Sequence, residues 1–471
     1  MRESSLFGKA YTDQRQFTPA TGFLLLCALS WLLFLGLLIS ILTQQFGWFL
    51  GITLLILSWD TIVSTGILLI AWRQLTCSQQ AISQQAISPQ TGSASATPTM
   101  TVIIPAWNEA DALPRTLNSL LAQSDQPETI IVADDGSTDG SLDRLAAEYG
   151  LEFINGDSLG RSRRYPHLYA LRKPHSGKAD SLNQAIVRSK DEVVIVLDAD
   201  TSLYPGAIAA VRESFAQHPH LHAVAGVPVP SCSKSWHGQV LQFFQRYEYM
   251  RGYVWHVGWN AFDAVVIISG ACSAFRRDLL LAVEGYDASN WTEDCEIIFR
   301  LQAYLRSRGE GFRVRIDPRF LARTDAPDTL ISFLRQRRRW FGGFWETLVQ
   351  YRHLVGNRRY GWFGLGNLAQ AALTVMGPFN ILLGTIGGLV FYTQGYLLPL
   401  QLWLLGMLIG VYNLLVSYGR LALYQAQIKR YYLSGWAMLL ESLIAPLVYQ
   451  PMVTIAQLWG YYSCLKRQKS W

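Results

Sequence analysis

Charge is scarce in this chain. Lys, Arg, Asp and Glu make up 16% of it, against roughly 25% in ordinary soluble domains. The shortage is uneven: the run Gly22–Leu42 holds no charged residue, and Phe46–Trp72 holds only Asp60. Three further runs, Trp362–Tyr392, Tyr396–Tyr418 and Leu433–Tyr461, carry between them the single charge of Glu441. Each of the five is long enough to cross a hydrocarbon core, which takes about 20 residues. Paired cysteines are missing too. Cys27, Cys77, Cys232, Cys272, Cys295 and Cys464 show no C-x-x-C spacing, which excludes a disulfide framework or a zinc finger and fits a reducing compartment. No cleavable leader is expected, because the first apolar run outlasts a signal-peptide core and a second follows it closely. Nothing resembles a base-reading module, so the net charge of +6 does not imply nucleic-acid binding. The positive clusters at Arg335–Arg339, Arg352–Arg359 and Lys466–Lys469 flank apolar runs instead, as cytoplasmic segments do.

The remaining pattern predicts four regions. Residues 1–78 carry two membrane spans, and the Gln/Ser/Ala-rich 79–98 reads as a flexible linker. Residues 99–357 form a soluble domain with interfacial helices, and 358–471 hold about three apolar segments. Within the domain, strand signals at Thr101–Pro105, Glu128–Ala133 and Glu192–Leu197 alternate with helix signals at Ala110–Gln123 and Lys178–Arg188. That alternation predicts an α/β fold with a mostly parallel, doubly wound sheet. Its ligand site then lies beyond the carboxyl ends of the strands. If the turn at Gln44–Phe46 is outside, the domain and the basic loop from Arg420 to Arg430 are cytoplasmic. The basic tail breaks this count unless the last run, with Glu441, Pro446 and Pro451, is re-entrant.

Four motifs carry candidate chemistry. Asp134-Asp135-Gly136-Ser137 closes the second strand and, alone, would be an ordinary turn. Asp198-Ala199-Asp200 closes the third. Carboxylates at i and i+2 of an extended chain point the same way. Beside so apolar a strand that pair calls for a divalent cation, magnesium or manganese, able also to neutralise a departing diphosphate. Thr292-Glu293-Asp294 opens a helix, where acidic residues are expected from the macrodipole and where a carboxylate also suits a general base. Gln336-Arg337-Arg338-Arg339-Trp340 is either a solvated basic face or an arginine fork for a diphosphate, with an indole for a sugar ring. His218-Pro-His220-Leu-His222 sets imidazoles at alternate positions but lacks an acidic partner, and no metal role is expected there. Trp236–Trp259 reads as an amphipathic helix, at an interface or in a core. Cys272 and Cys295 read as packing residues.

In this order and at these gaps the motifs form a set with Pro105-Ala-Trp-Asn-Glu109, Ser176-Gly-Lys-Ala-Asp-Ser-Leu-Asn183, Ser269-Gly-Ala-Cys-Ser-Ala-Phe-Arg276 and Ala326-Pro-Asp-Thr329. The set resembles the membrane-bound, inverting family 2 glycosyltransferases that include poly-N-acetylglucosamine, hyaluronan, chitin and cellulose synthases. Two spans ahead of the domain bring it nearest the first of these. The resemblance implies a GT-A-like, nucleotide-sugar-binding domain on the cytoplasmic side of a bacterial-type plasma membrane. It also implies a UDP-sugar donor, a glycan or lipid acceptor, contact with membrane lipids and an accessory subunit. On this resemblance Asp134 and Asp135 contact the uridine, Lys178 lies near the donor phosphates or sugar, and Asp198 and Asp200 hold nucleotide and metal. Asp294 is the base that deprotonates the acceptor, with Glu293 beside it on the acceptor side. Arg337 and Arg339 meet the diphosphate, and Gln336 and Trp340 meet the acceptor's terminal sugar. A single displacement then inverts the anomeric carbon. Only about three apolar runs follow the arginine motif, fewer than a self-contained secretion channel asks for. Non-processive transfer to a membrane lipid therefore stands as the alternative to polymer synthesis. A silent nucleotide-sugar binder is disfavoured, since it has no need of Asp198, Asp200, Asp294 and Arg339 together.

Overall fold

The computed structural model describes residues 21–87, 97–153, 158–373, 375, 377–396, 400–429, 431 and 433–466. Its strands are β1 (Met100–Ala106), β2 (Thr129–Asp134), β3 (Leu151–Glu152), β4 (Leu159–Ser162), β5 (Leu168–Arg172), β6 (Val193–Leu197), β7 (Thr201–Leu203), β8 (Ala223–Ser231), β9 (Cys272–Arg276) and β10 (Val314–Asp325). The helices before and among them are α1 (Thr21–Leu42), α2 (Phe46–Ile87), α3 (Leu113–Leu121), α4 (Ser141–Tyr149), α5 (Lys178–Arg188), α6 (Ala207–Gln217), α7 (Trp236–Asn260), α8 (Arg277–Ala282) and α9 (Glu293–Ser307). After β10 come α10 (Leu330–Gln350), α11 (Leu368–Leu373), α12 (Gly377–Thr393), α13 (Leu400–Gln427), α14 (Gly435–Ile444) and α15 (Tyr449–Leu465). Two compact units result. One comprises the described residues of Gln90–Gln245 and Val265–Leu330, the other those of Thr18–Pro89, Arg246–Ala264 and Ile331–Trp471.

The first unit is built on one ten-stranded sheet, ordered β3-β4-β5-β2-β1-β6-β9-β8-β10-β7. Strands β5, β2, β1 and β6 run parallel, and the near-continuous apolar sequences of β1, β2 and β6 suit strands covered by helices on both faces. Strand β9 enters antiparallel to both β6 and β8, and β3, β4 and β7 also pair antiparallel. The sheet is therefore mixed, not mostly parallel. These added strands are short or partly polar and follow no strand–helix alternation, so only tertiary pairing reveals them. Along β1 alternate side chains feed two cores. Val102 and Ile104 pack with Leu117 of α3 and Phe215 of α6, while Ile103 packs with Ile186 of α5 and Ile297 of α9. The prolines respect the hydrogen-bond ladders. Pro105 lies past Ile103, the last residue that β1 pairs with β6, and Pro228 and Pro230 lie past the stretch of β8 that pairs with β9.

An ion network ties α6 to β10. Asp317, fully buried, accepts from Ser214 Oγ at 2.9 Å and from Arg319, with Arg315 3.5 Å away. Burial alone would raise its carboxyl, but Arg319 and Arg315 hold it below the ordinary value. A depressed folded pKa contributes stability above the unfolded value near about 4, and that stability is lost as pH falls through the folded value. Asp317→Asn is therefore expected to cost about 1–3 kcal/mol at neutral pH. Thermal melts at stepped pH should show the gap to wild type narrowing below about pH 4. A gap that ignores pH would overturn this account.

In the second unit the apolar runs are helical. Among the described residues, Phe46–Thr76 and Phe363–Thr393 are long and apolar enough to cross a membrane, and Ala28–Leu42 is a shorter apolar helix. The last run is not one straight helix. It forms α14 and α15, bent by 58° at the break that contains Pro446, where the missing amide interrupts the helical ladder. A third span is reached only if this pair is counted as one. Residues 79–87 correct the expected linker, since α2 continues through them to Ile87. Extending a helix already nucleated costs little when Gln, Ala and Ser are the added residues; the rest of the expected linker, 88–96, lies outside the described residues. The expected loop from Arg420 likewise begins inside α13, which runs to Gln427.

Polar contacts hold these helices together. Arg251 of α7 meets the buried Glu441 of α14 through two bonds of 2.9 and 3.0 Å. Tyr247 Oη donates to Ser434 O at 2.9 Å. The buried residues Tyr247, Met250, Val254 and Val257 recur at helical spacing, so α7 presents an apolar face, as its sequence predicts.

Candidate functional site

The carboxyl ends of β1, β2 and β6 lie side by side, because Ala106 pairs with Asp134 and Ile103 with Val196. Strand β9 runs the other way, and its first residue, Cys272, pairs with Leu197. Gly270 and Ala271 thereby reach the same edge, where Ala271 O accepts from Asp198 N at 3.1 Å. All six of the sequence's acidic candidates and Lys178 gather there.

Asp134 ends β2. Its Oδ2 accepts from the amides of Gly136 and Ser137, each at 3.2 Å, whereas its buried Oδ1 meets no protein donor. Burial pushes this carboxyl above its ordinary value. An orphaned buried acceptor normally has a partner, so Asp134 is fitted to receive an N–H or O–H from a ligand. Asp135 is its opposite. The Lys173 ammonium, the amides of Ser176 (2.9 Å) and Gly177 (2.8 Å) and His175 Nδ1 (2.8 Å) surround its carboxylate. Against the upward push of burial, Lys173 and these amides hold it below the ordinary value.

Lys178 opens α5 and points its ammonium at Asp198 Oδ1 (2.6 Å) and Glu293 Oε1 (3.2 Å). Burial works to lower this group, but Asp198, Glu293 and Asp294 hold it above its ordinary value. Asp294 follows Glu293 in the first turn of α9, and its Oδ1 accepts from Cys295 N at 2.9 Å. It lies against Gly270, where an added Cβ would stand 2.8 Å from Asp294 Oδ2; only glycine leaves room for the carboxylate. A cavity of about 10 Å³, space for one water, opens between Lys178, Gly270, Tyr286, Glu293 and Asp294.

Asp198 and Asp200 do not sit on extended chain as expected. Thr201 N donates to Asp198 O at 3.0 Å and closes a turn, so one carboxylate faces Lys178 while the other accepts from Thr201 Oγ1 at 3.1 Å. Their charges still meet. Burial and then Asp198 push Asp200 up to about 6. Glu109, in the loop after β1, is pushed up to about 7 by burial and by Asp200, Asp198 and Asp325. This edge carries more negative charge than it compensates, even though Arg115 pairs with Asp325 at 2.7 Å, and a cation fits it. Among the described residues, no group of three or more His, Cys, Asp or Glu side chains is arranged to hold a metal. Two carboxylates are, however, the usual protein share for magnesium, which takes its other ligands from phosphates and water.

The arginine motif lies on α10, in the second unit. Arg337 is buried and committed there: its guanidinium donates to Glu248 at 2.5 Å and stacks over Trp340 at 4.0 Å. Tyr449 Oη donates to the same Glu248 at 2.6 Å. Gln336, Arg339 and Trp340 are partly exposed on this helix. The histidine tract is no strand: His218 caps α6, its Nε2 lies 2.7 Å from Arg315, and His222 Nδ1 accepts from Arg313 N. Buried Cys272 and Cys295 pack as expected. Sequence patterns passed over Glu109, Lys173, Asp325 and Gly270 as site residues. Glu109 and Gly270 lay inside recognised motifs, whereas nothing around Lys173 marks it.

The sequence model described as Glycosyl transferase family 2 matches residues 101–283, and that described as Glycosyl transferase family group 2 matches residues 193–464. A poly-beta-1,6-N-acetyl-D-glucosamine synthase of Staphylococcus aureus is 28% identical over 251 residues, 53% of this chain and 56% of that protein. Its counterpart in Staphylococcus epidermidis is 27% identical over 248 residues, 53% and 55% of the two chains. The chain thus spans about half the length of the curated relatives it matches. Among solved structures, a mannosyltransferase from Pyrobaculum calidifontis in complex with GDP-Man and Mn2+ superposes with a TM-score of 0.50. It is 20% identical, covers 84% of this chain and is itself 99% covered; at that identity the likeness bears on the fold, a GT-A-like α/β unit.

Proposed function

As the chain belongs to glycosyl transferase family group 2, we propose that it is a membrane-embedded enzyme that moves a sugar from a UDP-sugar to an acceptor hydroxyl with inversion, building a β-linked polysaccharide. One observation carries the proposal: Lys178, Asp198, Glu293 and Asp294, from three separate elements, converge at the edge where Asp134 keeps a buried acceptor unpaired. The likeness to poly-beta-1,6-N-acetyl-D-glucosamine synthases supports a glycan product. The long apolar helices support membrane insertion, and the basic clusters that flank apolar runs in the sequence favour a cytoplasmic side for the first unit.

Each residue then has a task. Asp134 accepts from the uracil, and Lys178 balances negative charge beside the donor phosphates. Asp198 and Asp200 would hold a magnesium or manganese ion, which when bound offsets the charge of the diphosphate. Asp294 takes the proton of the acceptor hydroxyl as its oxygen forms the new bond to the anomeric carbon and the bond to the diphosphate breaks. Glu293 orients Lys178. Gln336, Arg339 and Trp340 keep the diphosphate and acceptor roles that their motif implies, and Arg337 braces that helix through Glu248.

UDP release by the detergent-solubilised protein, measured across UDP- and GDP-sugars with magnesium and manganese, tests the proposal. Release with one UDP-sugar, at least about 10-fold reduced by EDTA, is the expected result. Products of many sizes support a polymer, and a single lipid-linked product would replace the glycan acceptor with a lipid. No release with any donor would overturn the proposal.

A further inference from the structure

Lys173 belongs to none of the motifs, yet its ammonium is almost wholly buried between two carboxylates. It bonds Asp135 at the end of β2 and lies 3.2 Å from Asp180 Oδ2 in the first turn of α5, with its side chain 4% exposed. Its own amide donates to Asp134 O at 3.2 Å, continuing the β2–β5 ladder. Between Lys173 and α5 lies the short segment Pro174–Gly177, and four of its polar groups turn inward to the same two carboxylates. Ser176 N and Gly177 N donate to Asp135, His175 Nδ1 lies 2.8 Å from it, and Ser176 Oγ meets Asp180 at 2.5 Å. Gly177 has φ +101°, a conformation that L side chains resist, and a Cβ on Gly136 would lie 2.8 Å from His175 N. The segment is largely exposed to solvent, so these inward bonds and the tight approach of Gly136 are what hold its shape, and its next residue is Lys178.

We propose that Lys173 is a positioning residue: pinned between Asp135 and Asp180, it fixes the segment Pro174–Gly177 so that α5 starts where the Lys178 ammonium reaches Asp198 and Glu293. Asp135 acts through this segment, its carboxylate already occupied by donors of the chain. A buried lysine between two acids cannot be removed neutrally. Without it Asp135 keeps its amides but loses its counter-charge, and the amides lose the partner that orients their acceptor. The effect on turnover rests on the transferase proposal above; the effect on the segment does not.

Two readouts test this on the full-length protein. Amide hydrogen exchange reports the segment directly. In Lys173→Met, peptides covering residues 174–178 should exchange about 10-fold faster or more, with those of β6 unchanged. Donor kinetics report the consequence: kcat/KM for the UDP-sugar should fall at least about 10-fold, and Lys173→Arg should recover part of both losses. Arg212→Met is the structural control, since Arg212 is a largely buried cation paired with Asp125 and Glu128. It should lower the melting temperature without altering exchange in 174–178. Unchanged exchange in Lys173→Met overturns the proposal, and so does a kinetic loss no greater than that of Arg212→Met. If wild type turns over no donor, the transferase proposal fails and the exchange result alone decides this one.

Discussion

Asp294→Asn is expected to lower turnover by about 10³-fold, the middle of the range that a positioned general base supplies. UDP affinity should stay within about threefold of wild type, because the base acts on the acceptor and not on the nucleotide. The substitution is isosteric. Asn can still accept from Cys295 N, as Asp294 Oδ1 does at 2.9 Å, and it still fits against Gly270. What it lacks is a site for the acceptor's proton. UDP release and UDP titration calorimetry on the same preparation separate the two effects. Turnover that survives would remove Asp294 from the reaction and return attention to Glu293, its neighbour on Lys178.

Glu248→Ala should destabilise the second unit by about 3–5 kcal/mol, the cost of stranding one member of a buried ion pair. Arg337 is 1% exposed and bonds Glu248 at 2.5 Å. Tyr449 also loses its acceptor in this variant. The double change Glu248→Ala/Arg337→Met should be less harmful than Glu248→Ala alone, because the stranded charge leaves with the arginine and methionine fills part of its volume. Thermal melting in one detergent, with wild type and both variants side by side, reads this out. A double variant no better than the single would mean that the guanidinium is not held by Glu248. Because Arg337 also stacks on Trp340 at 4.0 Å, the pair sets how that indole is presented, which the motif alone does not convey.

Much of the first unit could be read in advance, for a definite reason. Strands β1, β2 and β6 are covered on both faces, so their sequences are unbroken apolar runs, and α5 begins at Lys178 where the pattern predicts. The acidic motifs follow such strands directly, which located the site edge. Strands β4, β7 and β9 gave no comparable signal, being short or mixed in polarity. The turn at Asp198–Asp200 was missed because spacing along a chain does not reveal whether that chain is extended.

From the sequence alone came the α/β character of the first unit, the long apolar helices and the chemistry-bearing motifs in their order. All of these depend on local composition and on periodicity within one element. Tertiary structure decided the mixed pairing of the sheet, the bend between α14 and α15, and the division of labour between adjacent residues of one motif. Asp134 and Asp135 are neighbours of identical chemistry, yet one has a buried oxygen without a donor and the other receives three, from Lys173 and two amides. Arg337 and Arg339 are just as alike in sequence, but one is buried against Glu248 and the other is partly exposed. A carboxylate or a guanidinium acquires its role from the donors, acceptors and solvent around it, and residues distant in sequence supply them.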